Sequence, residues 1–286
     1  MQITNTPISY NTLTSNKKTT NFSGNPNSPK LVFHNKDFFI NMPGYGKNQQ
    51  WVEVVKTVAD NAVRLIREGK TADEVLQEIA KGIRLANKNC DSATKAYHSG
   101  ILRTSRKGYG DTGIWAGRDI YTPFGNEKTI GYNMYTKRLK ETITKPLKSP
   151  YTDVDLTTIN KNGIYYEMKH GDALKINNTL DRVGGKYFNL KRNFISQPEK
   201  VTEETLNGIN SEIAEIRWLM AHATPWERGS DAISNTFMRA MYKSMGIQTF
   251  PSKKGVSFDL EAFCTNLPDY QKNFANLFEK PPKVIE

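Results

Sequence analysis

Two apolar stripes, separated by a break that no helix can cross, constrain this chain most. Leu206, Ile209, Ile213, Ile216 and Met220 recur at three- and four-residue steps, and Ile233, Phe237, Met241 and Met245 recur at every fourth residue. Each spacing puts its set on one face of an α-helix. Thr202, with Glu204 and Thr205, opens the first helix and Gly246 ends the second. Between them runs "AHATPWERGSDAIS", Ala221 to Ser234. Pro225 cannot sit inside a helix, so the first helix ends near Ala223. Gly229 supplies backbone freedom, and Ser230 or Asp231 suits the N-cap of the second helix. The stretch is therefore expected to be a loop between two core helices.

The same reading places other elements. Val52, Val55, Val58, Ala59, Ala62 and Ile66 predict an amphipathic helix from Gln50 to about Gly69. Thr71 and Glu74 form a capping box for a second helix, which turns Val75, Ile79, Ile83 and Leu85 toward a core. These two helices are expected to pair antiparallel, as scaffolding. From Tyr97 to Tyr132 glycines and aromatics replace helical periodicity, so short strands or a hairpin with long loops fit best. Gly163 to Ile176 reads as another strand pair around His170-Gly171, and Lys137 to Lys148 as a helix ending in an exposed loop. The expected fold is mainly α with small β-elements. It occupies residues 31–286, and 97–200 contribute a smaller, mixed upper lobe.

Residues 1–30 are rich in Asn, Thr and Ser and contain no acidic residue. Such a stretch buries too little apolar surface to offset its ordering entropy and reads as disordered. It is either a floppy terminus or an uncleaved export signal of the kind bacterial type III effectors carry. The rest of the 286 residues, 37% hydrophobic overall, can bury a core of ordinary size. A net charge of +11 suits an acidic partner or serves solubility. Without a Lys/Arg run or a recognition motif, nucleic acid is not the expected partner. Cys90 and Cys264 make no disulfide framework and no zinc spacing. No run of 18 apolar residues is present, so no transmembrane segment is expected. Met1-Gln2 lacks the myristoylation glycine, and no cleaved secretory signal is expected there.

The loop itself suggests chemistry. The free N–H groups and positive dipole end of the second helix make an anion site suited to phosphates. Arg228 adjoins it and can clamp phosphate oxygens in bidentate fashion. His222 lies at the opposite lip, placed as a general base toward a hydroxyl. The plainer alternatives are an arginine paired with a neighbouring carboxylate and a histidine bonded to a carbonyl.

The stretch from Ser211 to Phe263, "SEIAEIRWLMAHATPWERGSDAISNTFMRAMYKSMGIQTFPSKKGVSFDLEAF", resembles the C-terminal part of the AvrB family of type III secreted avirulence effectors. The resemblance is carried by Trp218, Ala221, Pro225, Arg228, Gly229, Ser230, Gly246, Ile247, Asp259, Glu261 and Ala262. Upstream, Arg103-Thr104-Ser105 and His170-Gly171 have counterparts, and Thr112 matches a nucleotide-contacting threonine. The resemblance implies the fido fold shared with Fic and Doc proteins. It also implies a nucleotide pocket lined by Arg228 and Asp259, with Gly229, Ser230 and Thr112 contributing. The donor it implies is a nucleotide or nucleotide sugar, and whether a divalent metal accompanies it stays open. The implied reaction moves a deoxyhexose onto a hydroxyl of a host protein, after type III export into the host cell. Asp259 would hold a sugar hydroxyl or act as base, or simply cap the last helical stretch. Residues 107–113 would be a flap or a surface loop.

Two further readings stand beside that one. A Fic loop reads His-Pro-Phe-x-Asp/Glu-Gly-Asn-Gly-Arg, and by count His222 falls on its catalytic histidine. That implies AMP or UMP transfer, although Glu227 is displaced by one place and the Gly-Asn-Gly run is missing. The other reading is a non-catalytic fido-fold adaptor that binds host signalling proteins.

Overall fold

Both apolar stripes become central helices. The computed structural model describes residues 31–38, 48–90, 98–103, 121–125, 135–163 and 165–285. Among these, the helices are α1 (Gln49–Arg67), α2 (Ala72–Cys90), α3 (Thr136–Thr144), α4 (Ile176–Leu190), α5 (Glu203–Ala223), α6 (Ser230–Ser244), α7 (Phe258–Phe263) and α8 (Leu267–Asn273). The strands are β1 (Tyr121–Gly125), β2 (Thr158–Asn162), β3 (Tyr165–Lys169), β4 (Ile247–Gln248) and β5 (Lys283–Val284). The protein is mainly helical with small sheets. No helix among the described residues is long and apolar enough to cross a membrane.

Reciprocal bonds open α5: the Thr202 hydroxyl accepts from Thr205 N–H at 3.3 Å, and Thr202 N–H donates to the Thr205 hydroxyl at 2.9 Å. It ends at Thr224, whose φ of 43° is left-handed. Ile209, Ile213 and Met220 are completely buried, as are Ile233, Phe237 and Met241 of α6. From Ile213 to Ala223 every residue of α5 is buried. Helix α5 is thus covered on all sides and not on one stripe alone. On one flank Tyr242, Phe258, Phe274 and Phe278 stack edge to face or tilted, with ring centroids 5.1 to 6.3 Å apart.

Helices α1 and α2 take the expected register. Thr71 N–H donates to Glu74 Oε2 at 2.8 Å, and Glu74 N–H to the Thr71 hydroxyl at 3.3 Å. Val75, Ile79 and Ile83 enter the core, but Leu85 stays half-buried and Ala86 takes the inward place. The β-elements differ from expectation. The hairpin turn lies at Gly163, with a φ of 60°, and joins β2 to β3 so that Asn162 pairs with Tyr165 and Thr158 with Lys169. His170-Gly171 follow β3 and lead through a 3-10 turn (Ala173–Lys175) into α4, a helix that periodicity did not mark. Strand β1 adds to the other edge of β3. The expected export segment, residues 1–30, lies outside the described residues, as does the 107–113 loop.

Candidate functional site

The break between α5 and α6 is built as a second strand-like layer. Arg103 N–H donates to the Pro225 carbonyl at 2.8 Å, Glu227 N–H to the Ile101 carbonyl at 2.9 Å, and Gly100 N–H to the Arg228 carbonyl at 3.1 Å. Segment 98–103 therefore pairs along 225–228 and satisfies the backbone that Pro225 removes from the helix. The fully buried Arg103 guanidinium donates to the carbonyls of Ala223 (2.8 Å), Thr224 (3.2 Å) and Gly171 (2.8 Å). It thereby closes the C-terminal end of α5, where a cation also meets the negative end of the helix dipole.

Gly229, at a φ of 84°, is the N-cap of α6, and no side chain caps that helix. The expectation that Ser230 or Asp231 would cap it is corrected. Ser230 is already helical, and its hydroxyl accepts from Trp226 N–H at 2.9 Å and donates to the Trp226 carbonyl at 2.8 Å. The first three N–H groups of α6 consequently have no acceptor within the helix.

An arginine that sequence reading passed over faces this helix end. Arg217 of α5 is 1% exposed and its Nη2 donates to Asp231 Oδ1, in the first turn of α6. Its Nε and Nη1 are buried with no acceptor. The guanidinium lies 5.9 Å from the Phe258 ring centre. Burial pushes the Asp231 carboxyl up to about 6, the neighbouring Asp259 carboxylate adds to the rise, and Arg217 opposes it. Asp259 stands in the first turn of α7, half-buried, and its Oδ1 accepts from Leu260 N–H at 2.8 Å and from the Ser257 hydroxyl. Asp259 therefore gathers with Asp231 and Arg217. Arg228 does not join them: its side chain is exposed, its charge acts on His98, and it makes no ion pair with Asp259. Thr112 lies outside the described residues. Among the described residues no three His, Cys, Asp or Glu side chains are placed to hold a metal ion.

His222, expected as a general base or as a histidine bonded to a carbonyl, has a structural place. It is completely buried; its Nδ1 accepts from Thr157 N–H at 3.1 Å and its Nε2 donates to the Ala262 carbonyl at 3.1 Å. Its ring packs edge-on against Trp218 at 4.3 Å and against Phe263 at 5.6 Å. Burial drives its pKa down to about 3, against the pull of the Ala262 carbonyl. The ring is neutral and both nitrogens are committed, so no lone pair remains to take a proton from a substrate. The Thr157 hydroxyl in turn reaches His170 Nδ1 (3.0 Å) and the His222 carbonyl (3.1 Å). His170 and Gly171 line a polar cleft of about 550 Å3 together with Asp155, Lys169 and Asp172.

Beside Arg228, the Glu227 side chain is completely buried. Its Oε2 lies 3.3 Å from His98 Nδ1 and its Oε1 has no hydrogen-bond partner. Burial raises the carboxyl to about 8, with the charges of Arg103 and Arg84 pulling the other way. His98 is lowered by burial and by the charges of Arg228 and Arg84.

A signal for Arg217 was present in the sequence. It stands four residues after Ile213 and three before Met220, on the apolar stripe itself. A charge at such a position is buried, and a buried charge needs a partner.

A model of the avirulence-protein family AvrB/AvrC matches residues 132–281, from before α3 to beyond α8, and so takes in Arg217, Arg228, Asp231 and Asp259. No curated protein matches the chain.

Proposed function

Because the chain belongs to the AvrB/AvrC family of avirulence proteins, effectors delivered to host cells, we propose that it binds a nucleotide sugar at the N-terminus of α6. From there it transfers the glycosyl group, a deoxyhexose, to a hydroxyl of a host protein. One observation carries the reading: an uncapped helix N-terminus meets a buried arginine that still has two unused donors. Preorganised positive charge of this kind stabilises a departing diphosphate. The exposed Arg228, one residue before the cap, is free to swing onto the same phosphates.

The step balances simply. The bond from the anomeric carbon to the diphosphate oxygen breaks, and its electron pair leaves with the diphosphate toward Arg228, Arg217 and the N–H groups of Ser230 and Asp231. The acceptor hydroxyl oxygen bonds to that carbon, and its proton passes to a carboxylate, here Asp259. The succession of α5, loop and α6 supports a fido-type arrangement. The Fic-type reading, AMP or UMP transfer, loses its base because His222 is committed to Thr157 and Ala262. The adaptor reading has one observation in its favour: Asp231 already places a carboxylate at the helix end and neutralises Arg217.

Incubating the protein with host lysate and TDP- or UDP-deoxyhexose tests the reading. A host protein should gain the mass of one deoxyhexose while free nucleoside diphosphate accumulates, and Asp259→Asn should abolish both. A host protein that gains the mass of a nucleotide, or one captured unmodified with no diphosphate released, would contradict glycosyl transfer.

A further inference from the structure

The proposed reaction leaves unused a groove between the first turn of α2 and one face of α4. Leu76, Leu102, Leu180 and Tyr187 line it, and it holds about 420 Å3. At its edge Phe188 is 53% exposed, more than any other large apolar side chain among the described residues. Midway along, Gly184 faces the groove, and a Cβ there would meet nothing within 4 Å. Leu180, Gly184, Tyr187 and Lys191 follow one another at helical steps, so the groove runs along a whole face of α4. An apolar notch beside an exposed aromatic ring is the usual form of an anchor pocket for another chain.

Its charges indicate what fits. Asp73 and Asp181 stand exposed on the rim, and Asp181 enters no ion pair among the described residues. Among the described residues the Asp73 carboxylate accepts only the Gln77 side-chain amide, at 2.8 Å. At the other end of the groove Lys191 donates to the Gly69 carbonyl at 2.9 Å and keeps its charge, and Arg192 lies over the Phe188 ring, 5.9 Å from its centre. The groove is therefore apolar, with carboxylates at the Asp73 and Asp181 side and cations at the Lys191 end.

We propose that this groove docks a segment of a partner protein carrying a large apolar side chain, which fills the notch at Gly184, and a Lys or Arg, which pairs with Asp181 and Asp73. Asp181 and Gly184 stand three residues apart, about 4.5 Å along the helix. The basic and apolar groups of the partner are spaced to match. The docking does not depend on the nucleotide reading and survives its failure.

Selecting a phage-displayed library of random peptides on the full chain tests this, with counter-selection on Gly184→Leu. The added leucine side chain enters open space and replaces a helix-weakening glycine, so the variant folds, which its melting temperature verifies. Peptides recovered on the wild type should join a large apolar residue to Lys or Arg and weaken roughly tenfold or more on Gly184→Leu. On Asp181→Lys they should weaken as well, while their Lys-to-Glu twins gain. Peptides that bind wild type and Gly184→Leu alike would overturn the proposal. So would acidic selected sequences, or no recovered peptide at all. A concentration-dependent dimer that Gly184→Leu dissociates would assign the groove to a second copy of the chain and overturn it equally.

Discussion

Arg217 and His222 sit five residues apart on one helix, both buried, and their surroundings give them opposite parts. His222 has an acceptor and a donor for its two nitrogens; Arg217 has one carboxylate and two donors left over. His222→Phe keeps the packing against Trp218 and Phe263 but strands Thr157 N–H, while the Ala262 carbonyl keeps the Thr265 N–H. It should cost roughly 1–3 kcal/mol in urea denaturation, from one unsatisfied buried group. A variant as stable as wild type that has lost turnover would return the histidine to catalysis. Glu227 makes a second, independent prediction. Its folded pKa, pushed up to about 8, lies above the usual carboxylate value of 4.5. The stability it contributes is therefore complete below pH 4.5 and is lost as pH rises through 8. Relative to Glu227→Gln, the wild type should lose up to ~1.4 kcal/mol per pH unit across that window. A stability difference between the two proteins that does not change with pH would mean that Glu227 is ionised in the fold.

Among the elements, α4 and the α5–α6 loop show what glycines do in different settings. Gly184 lies in the interior of α4 with free space around its missing Cβ, so Gly184→Ala should stabilise the protein by about 0.5–1 kcal/mol. Gly229 has a φ of 84°, and a Cβ there would lie 3.1 Å from the Ser99 hydroxyl; Gly229→Ala should destabilise by roughly 1–2 kcal/mol. Thermal melts of the two variants shifting in the same direction would contradict this. The same residues explain what could be read from the sequence. Helices α1, α2, α5 and α6 were legible because a long apolar stripe tolerates few alternatives. Helix α4 was not: Gly184-Gly185 and Asn177-Asn178 look like loop, and only packing of Val183, Tyr187 and Leu190 into the common core holds it helical. The strand pair was legible, but its turn fell at Gly163 and not at His170-Gly171. The left-handed position was needed there, while Gly171 has its carbonyl taken by Arg103. Nothing local to 98–103 announces its pairing with 225–228, which is a contact between residues far apart in the chain.

At the scale of the whole molecule, the helical core brings three first turns or helix faces to one place. Helix α5 gives Arg217, α6 gives Asp231 and its free N–H groups, and α7 gives Asp259. Of the residues expected to line a nucleotide pocket, Asp259 stands in this cluster, while Arg228 is exposed and outside it. Helix ends are fixed by packing, whereas an exposed arginine side chain is not. Calorimetric titration of the full chain with ADP, UDP, TDP and their deoxyhexose sugars, alongside Arg228→Ala, tests this most directly. Binding in the roughly micromolar range, weakened about tenfold or more by Arg228→Ala, is the expected result. Silence across the whole panel, or equal binding by Arg228→Ala, would contradict a nucleotide site at the start of α6.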